Sequence, residues 1–250
     1  MELKKFSTVT TSYEVDQPLP GAEEVLMHLA VCHTVIIDPR NDKFNASSPD
    51  ELALVEGAHK LGYSFSERDS SNVITIEGKD KFVVMNVLEF SSARKRMSVI
   101  IRNLRTGQIQ LLTKGADSII EKLLAQSEWG NYKTTMEFVQ KFATEGLRTL
   151  LLTKRELSEH TYQEWNTQYQ KASMSVHGRE ELVAEVNAKI EKDLVLIGSS
   201  AIEDKLQEGV GETIRSLKAA GIKLWVLTGD KIETAVNIGY AAGLLDDKMN

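Results

Sequence analysis

Between residues 72 and 115 the chain carries four short apolar runs: "NVITIEG", "FVVMNVLEF", "RMSVIIRN" and "QIQLLTKG". Polar turn residues separate them, as in "NLRTGQ". Runs of this length with short turns predict consecutive strands in an antiparallel sheet. The flanking segments follow a different period. In "PLPGAEEVLMHLAVCHTVII", Leu26, Leu29, Ala30 and His33 recur at helical spacing after a Pro/Gly break. "NASSPDELALVEGAHKLGY" predicts a second helix, with Ser48 or Asp50 as its cap and Pro49 in its first turn. Further helices are expected in "GADSIIEKLLAQ", with Asp117 in the favourable first turn, and in "NYKTTMEFVQKFATEG", stopped by Gly146. "LRTLLLTKREL" returns as a strand, and residues 158–192 read as two polar helices around "SVHGREE".

The pattern changes at "KDLVLIGSSAIED". Strand, helix ("KLQEGVGETIRSLKAAG"), strand ("IKLWVLTG") and helix ("KIETAVNIGYAAGLL") then alternate, which predicts parallel strands with right-handed crossovers. A boundary is expected near residue 194. The fold class is α/β: an α+β part with an antiparallel sheet flanked by helices, then one edge of a doubly wound parallel sheet. In such sheets ligands bind beyond the carboxyl ends of the strands. Thr228, Gly229 and Asp230 fall there, before a helix whose first N–H groups suit an anion. Local pattern alone leaves an alternative open, with Gly229 as a turn and Asp230 as an N-cap, or as a holder of a metal or a ribose hydroxyl.

Composition narrows the class. The 250 residues suffice for one large domain or two small ones, and 42% hydrophobic with 26% charged residues describes an ordinary globule. A net charge of −6 argues against nucleic acid as a partner. One cysteine, Cys32, excludes a disulfide framework within the chain and fits a reducing compartment. No run approaches the length of a membrane span, and "MELKKFSTVTTSYEV" has no apolar signal core.

Three further segments carry chemistry-bearing residues. "FSSARKRMSVI" sets Phe90 before Arg94, Lys95 and Arg96. Its ordinary reading is a core aromatic beside a solvated basic hairpin. "LLTKGAD" sets Lys114 at a strand end and a helix mouth, where an exposed lysine is the default. "EGLRTL" sets Arg148 after a helix-ending glycine, suited to covering the helix terminus or pairing with an acid. "EGVGETI" looks faintly like a phosphate loop but lacks the Gly-Lys-Ser/Thr ending, so Gly209 and Gly211 are expected inside a helix packed on the sheet.

Together these segments resemble the P-type ATPases, and among them the P4 group, the phospholipid flippases. "LAVCHTV", "SPDELALVEGA", "FSSARKRMSVI", "LLTKGAD", "EGLRTL", "IEDKLQEGV" and "GIKLWVLTGDKIETAVNIG" stand in family order across nearly the whole chain. "KGA" and "TGD" are general signals of the family, whereas "SPDELAL", "RKRMS" and "DKLQ" in place of "DPPR" are the flippase-like versions. The resemblance implies a connecting segment at 1–24, a nucleotide-binding domain at 25–193 and part of a haloacid-dehalogenase-like phosphorylation domain at 194–250. It implies that Phe90 stacks on adenine, that Glu51 accepts from the exocyclic amine, and that Ser92 adds a hydroxyl nearby. Lys114 would line the inner pocket and Arg148 would reach the polyphosphate. Thr228, Gly229 and Asp230 would meet the terminal phosphate from the second domain.

The resemblance also implies what lies elsewhere. The family nucleophile is the aspartate of "DKTGT", which does not occur here, and the magnesium-binding "GDG.ND" motif is expected beyond Asn250. No catalytic residue and no metal ligand is therefore assigned in this chain. It should bind ATP without forming a phosphoenzyme. The intact parent would be an enzyme using ATP and Mg2+ to move phospholipid, with a membrane β-subunit as a further partner, at the cytosolic face of a Golgi, endosomal or plasma membrane. The alternatives are a cation-transporting relative, a soluble dehalogenase-type phosphatase, which would need its own aspartate nucleophile, and a non-catalytic interaction module.

Overall fold

The computed structural model describes residues 21–38, 40–66, 68–69, 71–203, 206–229 and 232–246. Most of the expected connecting segment, and Asp230, lie outside them. The described residues form two compact units, one of 21–133 with 150–200 and one of 134–149 with 201–246.

The larger unit is built on a sheet of β3 (Val73–Thr75), β4 (Lys81–Leu88), β5 (Arg96–Asn103), β6 (Ile109–Gly115), β7 (Arg148–Leu157) and β8 (Val195–Ile202), in that spatial order. The ladders from β3 through β7 are antiparallel, as the four apolar runs predict. Side chains alternate between two cores. Met97, Val99 and Ile101 of β5 join α1 (Ala22–Val31) and α2 (Pro49–Lys60) on one face. Ile100 joins α5 (Glu159–Ser173) and α6 (Arg179–Ile190) on the other. The register of β4 slips between Val84 and Asn86, so Met85 is an extra residue opposite one of β5. Val84 and Val87 therefore share a face although three positions apart.

Several elements depart from the pattern-based expectation. A two-stranded hairpin, β1 (Ile36–Asp38) with β2 (Lys43–Asn45), follows α1 and was hidden in its apolar tail. "GADSIIEKLLAQ" gives only a short α3 (Asp117–Ile120) and a 3-10 turn at Glu121–Leu123, before α4 (Trp129–Thr144). β8 belongs to the six-stranded sheet and does not open a separate parallel one.

In the smaller unit α7 spans Val210–Ala219 and α8 spans Ile232–Ala241. Gly209 is the left-handed N-cap of α7 at φ 83°, and neither Gly209 nor Gly211 is pressed against a sheet. Residues 222–229 form no strand. Their apolar run has the propensity, but a strand needs a hydrogen-bonded neighbour, and Trp225 and Leu227 stand exposed. No parallel sheet is present among the described residues. Asn237 donates to the Thr144 carbonyl (3.2 Å) and lies against Gly146, whose φ of 81° ends α4.

Two buried histidines on or near α1 make stability pH-dependent. His28 Nε2 lies 3.3 Å from the Thr113 carbonyl, and burial aided by the Lys114 charge lowers its pKa to about 3. His33 Nδ1 accepts from the Val35 N–H (3.1 Å) while Nε2 faces the Ala30 carbonyl (2.9 Å), which assigns the Nε2–H tautomer. Burial lowers its pKa to about 4. Both stay neutral in the fold while the unfolded chain takes up protons below its ordinary pKa of about 6.5. The unfolded state binds more protons, so stability falls on acidification from about pH 6.5 toward 4. Urea unfolding should show each histidine costing about 1 kcal/mol between pH 7 and 5.5. A midpoint flat over that range would contradict the neutral assignment.

Candidate functional site

The site is organised by the end of β6, where adjacent residues serve opposite faces of the sheet. Lys114, paired with Met97 in the ladder, turns toward α1 and α2. Its Nζ donates to Glu51 Oε1 at 2.9 Å, and both side chains are below a tenth exposed. Local chemistry delivers Glu51 to this point. Ser48 Oγ caps α2 by accepting the Glu51 N–H (3.4 Å), Pro49 occupies the first turn, and Glu51 follows where the helix end favours an acid. Thr34 Oγ1 donates to Glu51 Oε2 at 2.7 Å. Burial pushes the Glu51 carboxyl up, but Lys114 and Thr34 outweigh it and hold the pKa below the usual value. The expectation of an exposed Lys114 is thus reversed: this cation is desolvated, paired and aimed.

On the other face, Thr113 and Ser98 are cross-strand partners with their hydroxyls 2.9 Å apart. Ser98 also donates to Glu191 (2.5 Å), which ends α6 and is fully buried. Arg96 forms a fork on Glu191 Oε2 through Nε (2.9 Å) and Nη2 (2.7 Å), and Arg94 Nη2 pairs with Oε1. The Arg94 and Arg96 side chains are 13% and 12% exposed. Desolvation lowers the Arg94 pKa, with Glu191 opposing it. The ordinary reading of "FSSARKRMS" is therefore inverted. Its two arginines are largely withdrawn from solvent, and its aromatic, Phe90, is 62% exposed.

That aromatic sits on a heavily tied loop. Arg94 Nη1 donates to the Glu89 carbonyl (2.6 Å), the Arg94 N–H to Ser91 Oγ (3.2 Å), and the Lys95 N–H to the Ser91 carbonyl (2.8 Å). Lys95 adopts the left-handed region at φ 49°, and its carbonyl accepts the Ala116 N–H (3.0 Å). Gly115 makes this closure possible. A Cβ there would come within 2.6 Å of Arg96 Cβ and 2.9 Å of the Lys95 carbonyl, so only glycine lets β6 lie this close to Arg96. Ser92 is exposed on the same loop.

Antiparallel pairing brings the ends of β4 and β6 and the start of β5 to one end of the sheet. Phe90, Ser92, Lys114 and, through its ion pair, Glu51 gather there. Arg148 opens β7 but belongs to the smaller unit, as do Thr228 and Gly229, which lie in the irregular segment before α8. Glu191 is a site residue that the sequence reading missed. It is one acid among many in a polar helical stretch, 97 positions from Arg94. The one signal was two arginines flanking a strand start, which need a counter-charge if buried.

Comparison with known proteins adds an independent finding. The family P-type ATPase, cytoplasmic domain N, matches residues 22–209. The chain is 46% identical over 238 residues to the phospholipid-transporting ATPase DNF1 of Chaetomium thermophilum, covering 92% of this chain and 15% of that protein. It is 46% identical over 242 residues to the phospholipid-transporting ATPase DRS2 of Saccharomyces cerevisiae, covering 94% and 18%. It is 44% identical over 244 residues to the probable phospholipid-transporting ATPase 7 of Arabidopsis thaliana, covering 92% and 20%. The chain thus spans a fifth or less of the length of these relatives.

Proposed function

The chain belongs to the P-type ATPases, matched through their cytoplasmic domain N, and from that premise we propose that it is the ATP-holding piece of a phospholipid-transporting pump. The observation that carries this reading is the pairing of a braced loop presenting exposed Phe90 with a buried, oriented Lys114 at the same end of the sheet. Phe90 offers a π-face to adenine, and Ser92 a hydroxyl beside it. Glu51 orients Lys114 and keeps lone pairs for the exocyclic amine. Arg148 of "EGLRTL", with Thr228, Gly229 and Asp230 of "LTGDK", is assigned by motif to the polyphosphate.

The nucleotide-binding domain ends, in this reading, after Ser200 and not at residue 193, since β8 completes its sheet. Phosphoryl transfer needs mainly alignment and charge stabilisation. The acceptor aspartate and the Mg2+ site belong to segments not in this sequence, so the purified chain binds ATP weakly and releases no phosphate. The relatives' names support phospholipid as cargo. A membrane β-subunit and the cytoplasmic face of a membrane complete the proposal for the parent.

Titrating isotopically labelled chain with ATP tests this directly. Amide shifts should cluster at Glu51, Phe90, Ser92 and Lys114. Saturating ATP without shifts there would overturn the reading in favour of an interaction module, and phosphate release surviving Asp230→Asn would overturn the assignment of no turnover.

A further inference from the structure

We propose that Glu191 is a positioning residue for the base-binding loop, acting through Arg94. The inference rests on the adenine-binding reading of Phe90. Phe90 itself is open to solvent, 62% exposed. Its backbone position is set by the residues around it. Arg94 spans two fixed points, donating through Nη1 to the carbonyl of Glu89, the residue immediately before Phe90, and through Nη2 to Glu191. Arg96 adds a brace, donating from Nη1 to the Arg94 carbonyl (3.2 Å) while its fork grips the other Glu191 oxygen.

Glu191 is a suitable anchor because it does not move with the loop. Its N–H closes α6 on the Asn187 carbonyl (3.1 Å), and the preceding Ile190 carbonyl accepts from Arg155 Nη1 of β7 (2.9 Å). Its carboxylate is locked by Ser98 of β5. The acid thus refers the loop to the helical layer behind the sheet, on the face opposite Lys114. A ring held at one height before ligand arrives loses little ordering entropy on stacking, which is where preorganisation contributes affinity. Charged groups touching no nucleotide would in this way set the affinity for the base.

The experiment compares ATP with inorganic tripolyphosphate, which has no base to stack. Calorimetry on the purified chain, well below its unfolding temperature, should show Glu191→Gln and Arg94→Lys weakening ATP about tenfold, part of a full stacking contribution. Tripolyphosphate binding should stay unchanged. Arg94→Lys keeps a charge for Glu191 but cannot bridge to the Glu89 carbonyl, so it separates aiming from folding. If both variants melt earlier yet bind ATP like the parent chain, Glu191 is a packing residue only and the proposal fails. Equal losses for ATP and tripolyphosphate would also overturn it. Failure of the unaltered chain to bind ATP would instead reject the adenine reading beneath it.

Discussion

Replacing Glu191 with alanine is expected to destabilise the chain by about 3–5 kcal/mol, because it strands two nearly buried guanidinium groups without a counter-charge. The Glu191 carboxylate accepts from Arg94, from the fork of Arg96 and from Ser98, with its own side chain wholly hidden from solvent. Removing it leaves the arginines, whose side chains are only 13% and 12% exposed, without that counter-charge. Surface pairs behave differently. The Arg40–Asp38 bridge (2.9 Å), whose arginine stands out in solvent, is screened and should contribute little. Urea unfolding of Glu191→Ala beside Asp38→Ala makes the contrast measurable. A loss below about 1 kcal/mol for Glu191→Ala would show that water or another acid reaches the arginines.

Phe90→Ala is expected to act on the ligand and not on the fold. Base stacking contributes about 1–3 kcal/mol, so ATP should bind about 5- to 150-fold more weakly. The ring is 62% exposed, so the unfolding midpoint should barely move. Phe90→Trp, which keeps an aromatic face, should retain most of the affinity. Calorimetry with each variant decides the matter: an alanine variant that binds ATP normally would remove Phe90 from the site.

What could be read in the sequence was whatever local period or local chemistry determines. The four strands, the Ser48 cap and the strand end that carries Lys114 are of this kind, each requiring only neighbours within a few residues. What could not be read depends on distant partners. Whether Arg94 and Arg96 are solvated or buried depends on Glu191, nearly a hundred positions away. The assignment of β8 depends on which sheet offers it an edge. The run at 222–229 has every intrinsic feature of a strand and forms none, since propensity supplies no hydrogen-bonding neighbour. The motif resemblance pointed to Lys114 and Glu51 as separate ligand contacts, and the fold joins them into one buried pair.

Met85 carries a consequence for changes of chain length. β4 holds one residue more than its ladder with β5 requires, so excising Met85 is an indel that preserves every surviving cross-strand match from Phe82–Asn103 to Leu88–Ser98. Excision of Val87 instead would shift Leu88 by one step and turn its side chain from one core to the other. Length variation in this strand should therefore be tolerated at the bulge and resisted two residues later, just before the aromatic.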